Sequence, residues 1–146
     1  MKKILLLILL GFSINSYSQS SGEKLFKAIF EHNLDAVKKI IEADKSLVNY
    51  VRKINESFYI PVLMQAVVND ELEISKYLIE NGADINQTDG FKMTNLMWAA
   101  NNQNVELTKL LLKKGADKNA KDMNGMTALK AAQEVKNTEI IELLKN

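Results

Sequence analysis

One interval governs this chain, and it is 33 residues long. The stretch KYLIENGADINQTDGFKMTNLMWA, residues 76–99, returns as KLLLKKGADKNAKDMNGMTALKAA, residues 109–132. Gly82-Ala83-Asp84 falls on Gly115-Ala116-Asp117, Asn86 on Asn119, Asp89 on Asp122, Thr94 on Thr127, Leu96 on Leu129 and Ala99 on Ala132. A fixed period of this size marks stacked units, none of which can hide its apolar face alone. The period reaches toward the N-terminus as well. Leu25, Leu63, Leu96 and Leu129 hold one position, and Ala28, Ala66, Ala99 and Ala132 hold another. Asp35, Glu73, Glu106 and Glu139 hold a third. The first two units stand 38 residues apart, and the extra residues fall within EADKSLVN and VRKINESFYIPV.

Each unit contains two helical patterns. In the first, Leu96, Ala99 and Ala100 recur at i, i+3 and i+4, and the small alanines permit close helix approach. Thr94 and Thr127 stand where a helix N-cap is needed, with a hydroxyl to accept an exposed backbone N–H. The second pattern is longer: Val105, Leu107, Leu110, Leu111 and Leu112, with Glu106 in the first turn, where the helix dipole favours an acid. Gly115 then supplies the left-handed residue that ends it. Ala116 to Met126 is polar and carries Asp122 and Gly125, as a projecting turn requires. Isolated helices shorter than ~12–15 residues are marginal in water, so about four units side by side are needed to bury one continuous core.

GADINQTDGFKMTNLMWAA and GADKNAKDMNGMTALKAA resemble the ankyrin repeat, with its D-x-x-G-x-T-P-L-H-x-A-A, E-V-V-x-L-L-L and G-A-D-x-N segments. The resemblance implies an all-α solenoid of about four helix-turn-helix units with projecting β-turn fingers. The units would span about residues 22–54, 55–88, 89–121 and 122–146. The chain departs from the pattern in several places. Asn95 and Ala128 replace the Pro after Thr, and Met97 and Lys130 replace the His. His32, Asp70, Gln103 and Lys136 replace the Gly between the two helices, where φ > 0 is wanted and Gly costs least. The adjacent Asn33, Asn69, Asn102 and Asn137 are expected to absorb that strain, since Asn tolerates the left-handed region better than most residues. Lys92 replaces the Gly of the third unit's projecting turn, so a less regular fingertip is expected there.

Reaction chemistry finds few candidates. His32 is the only histidine and there are no cysteines, so a zinc site of the usual N/S kind has no ligands. Glu73 and Glu139 have a place as first-turn helix residues, which leaves the carboxylate pairs Glu71/Glu73 and Glu139/Glu142 without need of an acid–base role. The glycines of GAD lack the Gly-Lys-Ser/Thr of a phosphate loop, and no Gly-x-Ser-x-Gly elbow occurs. No cofactor and no metal is expected.

The surface is the remaining place for function. By the resemblance, partners would dock on the fingers and on a concave face lined by the first helices. The fingers would present Phe58 and Ile60, then Phe91 and Met93, then Met123 and Met126. The first helices would present Phe30 and Glu31, Val68 and Asn69, Asn101 and Asn102, and Glu134 and Val135. Aromatic and Met side chains suit an adaptable docking surface; packing between neighbouring fingers is the other account of them. Trp98 occupies a position held elsewhere by Lys27, Gln65 and Ala131, so the repeat does not demand it. It is either a binding anchor or a packing residue. Lys109, Lys113, Lys114, Lys118 and Lys121 read as a solvated face, with an acidic partner as the alternative.

The chain opens MKKILLLILLGFSINSYSQ. Two lysines, an apolar run and small residues form the three parts of a secretory signal peptide. The run falls short of the ~20 residues that span a bilayer. Residues 1–18 are therefore expected to be a cleaved leader, with cleavage after Ser18 or Ser20, and residues 19–146 the repeat domain. Without Lys2 and Lys3 the chain has 17 basic and 18 acidic residues, which argues against nucleic acid as a partner. It leaves no basic stripe for a membrane. Without cysteine there is neither a disulfide nor an acylated N-terminal Cys. The expected function is an exported monomeric scaffold, periplasmic or extracellular, that binds another protein and catalyses nothing. Self-association in the cell envelope and carboxylate-based hydrolysis are the alternatives.

Overall fold

The computed structural model describes residues 20–145; the expected leader lies outside the described residues. The doubled Leu/Ala pattern becomes four helix-turn-helix pairs. These are α1 (Ser21–Phe30) with α2 (Leu34–Ala43), α3 (Val62–Val68) with α4 (Leu72–Glu80), α5 (Asn95–Asn101) with α6 (Val105–Lys113), and α7 (Ala128–Glu134) with α8 (Thr138–Lys145). First helices pack on first helices, α1 to α3 to α5 to α7, and second helices form a parallel row, α2 to α4 to α6 to α8. Ala28, Ala66, Ala99 and Ala132 are all buried in the first row. A larger side chain at any of them would push neighbouring helices apart. One apolar cluster runs the length of the stack, from Leu25 and Ile29 through Leu78 and Leu111 to Ile140 and Leu144.

The first helices end alike. The N–H of Asn33, Glu71, Asn104 and Asn137 donates to the carbonyl of Ala28, Ala66, Ala99 and Ala132, and the preceding N–H closes a tighter bond inside it. This double closure requires a left-handed residue at its corner. The corner residues are His32, Asp70, Gln103 and Lys136, with φ between 56° and 60°. The neighbouring asparagines do not take the strain, contrary to expectation: φ is −100° at Asn33, −79° at Asn69 and −73° at Asn102, and Asn137 is not left-handed either. Corner geometry is set by the two bonds, and it falls on whichever residue occupies that place. Asn33, Asn104 and Asn137 instead cap the next helix, accepting from Ala36, Leu107 and Ile140 N–H.

The longer spacing of the first two units has two structural outlets. Lys45–Asn49 forms a 3-10 turn, and β1 (Val51–Lys53) pairs antiparallel with β2 (Tyr59–Pro61), Arg52 opposite Ile60. Among the described residues the fold is therefore all-α apart from turns and this one hairpin, which the repeat pattern does not foretell. Units are also tied by side chains. Asn49 Nδ2 donates to Gly82 O while Asp84 N–H donates to Asn49 Oδ1. Asn86 repeats both bonds one unit on, to Gly115 O and Asp117 N.

Candidate functional site

The third and fourth fingers are each built by one acid. Asp89 Oδ1 accepts from the N–H of Phe91 and Met93, and Asp122 Oδ1 from the N–H of Asn124 and Met126. In both, the Asp N–H donates to the carbonyl of the Met four residues later. The third finger is as regular as the fourth, against expectation, because Lys92 adopts φ 61° where Gly125 has 74°. The hydrogen-bond frame outweighs the lysine's steric cost. In the second finger Asn55 Oδ1 accepts from Ser57 and Phe58 N–H.

Neighbouring fingers join edge to edge. Gly90 N–H donates to Tyr59 O at 3.2 Å, and Met123 N–H donates to Phe91 O at 3.1 Å. A Cβ on Gly90 would stand 2.4 Å from Ser57 O and 2.9 Å from Phe58 Cα, so the absence of a side chain lets these fingers meet. The contact brings Phe58 and Phe91 together, ring centroids 5.0 Å apart.

The finger residues singled out from sequence divide into two sets. Ile60 and Met93 are half-buried and pack on the core, and Met126 is half-buried beside its Asp122 frame. Phe91 and Met123 remain 57% and 64% exposed, with Phe58 half-buried between Phe91 and the hairpin. Packing between fingers and presentation to solvent thus coexist. Ile54, in the hairpin turn, is 51% exposed and was not singled out; its position depends on a hairpin that no periodicity announces.

The face of the first helices is the second surface. Phe30 is exposed at the end of α1, and Val68 is exposed at the corresponding place on α3. Asn101 and Glu134 continue the series, both exposed. Asn102 serves the stack instead, because its Nδ2 donates to the Val67 and Val68 carbonyls and ties α5 to α3. Trp98 is half-buried and packs against the core, and its indole N–H has no partner among the described residues. At the first unit Glu23, Phe26, Lys27, Phe30, Arg52 and Gln65 line an open cleft of about 210 Å³. Arg52 lies over the Phe26 ring, 5.5 Å from its centroid, and pairs with Glu23 at 3.2 Å. Arg52 comes from the same unforeseen hairpin.

Glu31 follows α1 and pairs with Lys27 at 3.7 Å, whereas Glu134 ends α7, with α3 and α5 between them. The first-helix acids Glu31 and Glu134, which carboxylate-based hydrolysis in the groove would need side by side, are thus not neighbours. Among the described residues no group of three or more His, Asp or Glu side chains could hold a metal ion, and no helix is long and apolar enough to cross a membrane. His32 Nδ1 bonds Glu71 Oε1, a link between the first two units, and Asn104 Nδ2 donates to Asp70 Oδ1 in the equivalent place.

A search among curated proteins found no match. A family model described as ankyrin repeats in three copies matches residues 63–146, more than half of the chain. That match covers α3 to α8, and the pair α1/α2 ahead of it packs in the same two rows. Ankyrin repeats are in general modules that bind other proteins and typically carry no reaction. On the match and the stacked helix pairs together, the chain belongs to the ankyrin-repeat family.

Proposed function

We propose that this protein is an exported scaffold that binds one partner protein through its fingers and the face of its first helices, with no reaction of its own. The observation that carries the proposal is the exposure of Phe91 and Met123 at 57% and 64%, on fingers whose backbones are otherwise fully framed. Large apolar side chains held in solvent by a rigid frame lose little entropy on docking, which is what a binding anchor needs. Trp98, half-buried against the core on α5, is the aromatic side chain that the first-helix face adds to them. The test is affinity capture from the envelope and secreted fractions with the mature chain. A single partner retained by the wild type and lost by Phe91→Ala plus Trp98→Ala supports the proposal. Undiminished capture by the double variant sinks the site assignment, and no partner at all sinks the function.

Export rests on the leader-like residues 1–18. Cleavage after Ser18 keeps Ser20, whose hydroxyl accepts from Glu23 N–H as the N-cap of α1. Cleavage after Ser20 removes that cap, and losing one costs about 0.5–2 kcal/mol. The intact mass expected of the secreted or periplasmic form begins at Gln19, which keeps that cap. A mass that retains Met1 and the apolar run overturns export with cleavage.

A further inference from the structure

Charge is unevenly spread along the stack. Residues 20–90 carry eight Lys and Arg against twelve Asp and Glu, whereas residues 91–130 carry seven lysines against three acids. Two of those three acids are occupied by backbone. Asp122 frames the fourth finger, and Asp117 accepts from Asn119 N–H. Of the seven lysines, Lys109 pairs with Glu139, and Lys130 donates to Gly125 O. Lys92, Lys113, Lys114, Lys118 and Lys121 have no acidic partner among the described residues. They are not scattered. Lys113 and Lys114 close α6, Lys118 and Lys121 lie on the loop that leads directly into the fourth finger, and Lys92 is the corner of the third. Those two fingers carry the exposed Phe91 and Met123, joined by the Met123 N–H to Phe91 O bond.

From this we infer that fingers three and four form a docking surface for an acidic protein segment carrying apolar anchors. This surface rests on the scaffold function proposed above and gives that function's partner its chemistry. Phe91 and Met123 would receive the apolar side chains. The uncompensated Lys92 on the third finger, with Lys118 and Lys121 on the loop that enters the fourth, would select Asp and Glu beside those anchors and repel basic segments. Unpaired charge at the rim of a docking patch acts chiefly on selection and approach rate, and its effect weakens with salt because exposed charges are screened within about 10 Å at 0.1 M. The acidic first half of the chain would discourage the same segment from settling on the second finger.

The test uses the mature chain and three short fluorescein-labelled peptides of equal length. One carries Leu and Phe anchors among Glu residues, one carries the same anchors among Lys residues, and one carries the Glu residues with Ala in place of the anchors. Anisotropy is read at low and high salt. The expected result is binding of the first peptide at least about tenfold tighter than of the other two, weakening with salt. Lys118→Glu plus Lys121→Glu should abolish the preference for acid, and Phe91→Ser plus Met123→Ser should abolish binding. Phe91, Lys121 and Met123 are exposed and Lys118 is half-buried, so circular dichroism and the melting temperature verify that the variants fold. Equal binding of the acidic and basic peptides overturns the inference, as does no binding of any peptide. Tighter binding to phosphatidylglycerol vesicles or to single-stranded DNA than to the acidic peptide overturns it too, in favour of those ligands. None of these failures touches the scaffold function itself, which falls only if the capture experiment yields no partner.

Discussion

At the scale of single residues, the chain tolerates strain in one kind of place. Four first helices end in a left-handed corner, and none of the four corners is a glycine. An L-residue in that region costs roughly 1–2 kcal/mol, partly offset by the greater freedom that glycine has in the unfolded chain. His32 and Asp70 hold inter-unit bonds through their side chains, but Gln103 and Lys136 have none. Gln103→Gly and Lys136→Gly should each therefore raise stability by about 0.5–1 kcal/mol, read as a shifted urea midpoint with an unchanged slope. A loss at both positions would show that the corner is unstrained. Gly90 predicts the opposite sign. Its missing Cβ is filled by backbone of the second finger, which cannot swing aside as a side chain tip would. Gly90→Ala should cost about 1–3 kcal/mol and split the two fingers, seen as faster hydrogen exchange at the Gly90 amide.

At the scale of elements, both helices of a pair carry large buried side chains: Leu25, Ile29, Leu96 and Met97 on first helices, Ile74, Leu78, Leu107 and Leu111 on second helices. Leu78 and Leu111 occupy equivalent places on α4 and α6, both without solvent exposure. Leu111→Ala should destabilise by about 2–5 kcal/mol, while the exposed Lys113→Ala on the same helix should change stability by less than about 0.5 kcal/mol. These helices were plain in the sequence because Leu spacing, the first-turn acids and the Gly–Ala–Asp ends all point to one answer. The N-caps were equally plain: Thr94 and Thr127 accept from Met97 and Lys130 N–H. The hairpin was not, because its strands are three residues each and too short to show alternation. The corners and the third finger were misjudged for a common reason. Local preference was weighed residue by residue, whereas two or three backbone bonds formed at once decide the conformation. Within the proposed docking surface, residue spacing singled out Phe91 and Met123 but could not separate them from Ile60 and Met93. Facing outward or inward on a finger depends on a bond pattern that spacing does not encode.

For the whole molecule, the main helix–helix contacts among the described residues lie within a unit or between adjacent units, so stability is a sum of units and of interfaces between neighbours. The inner pairs, α3/α4 and α5/α6, have a neighbour on both sides, while α1/α2 and α7/α8 have one. Native-state hydrogen exchange should accordingly find the slowest amides in α3 to α6 and faster ones at both ends, opening as separate groups. Uniform protection from α1 to α8 would mean that the stack opens as one body instead. The side-chain ties set a further property. Asn49 and Asn86 each clasp the Gly–Ala–Asp turn of the next unit, and Asn119 stands in the same register as Asn86. A duplicated copy of residues 89–121, spliced in after residue 121, would offer Asn119 just such a turn. The protein is in this sense a gauge with interchangeable segments, whose reach could be lengthened by editing the gene without redesigning a single joint.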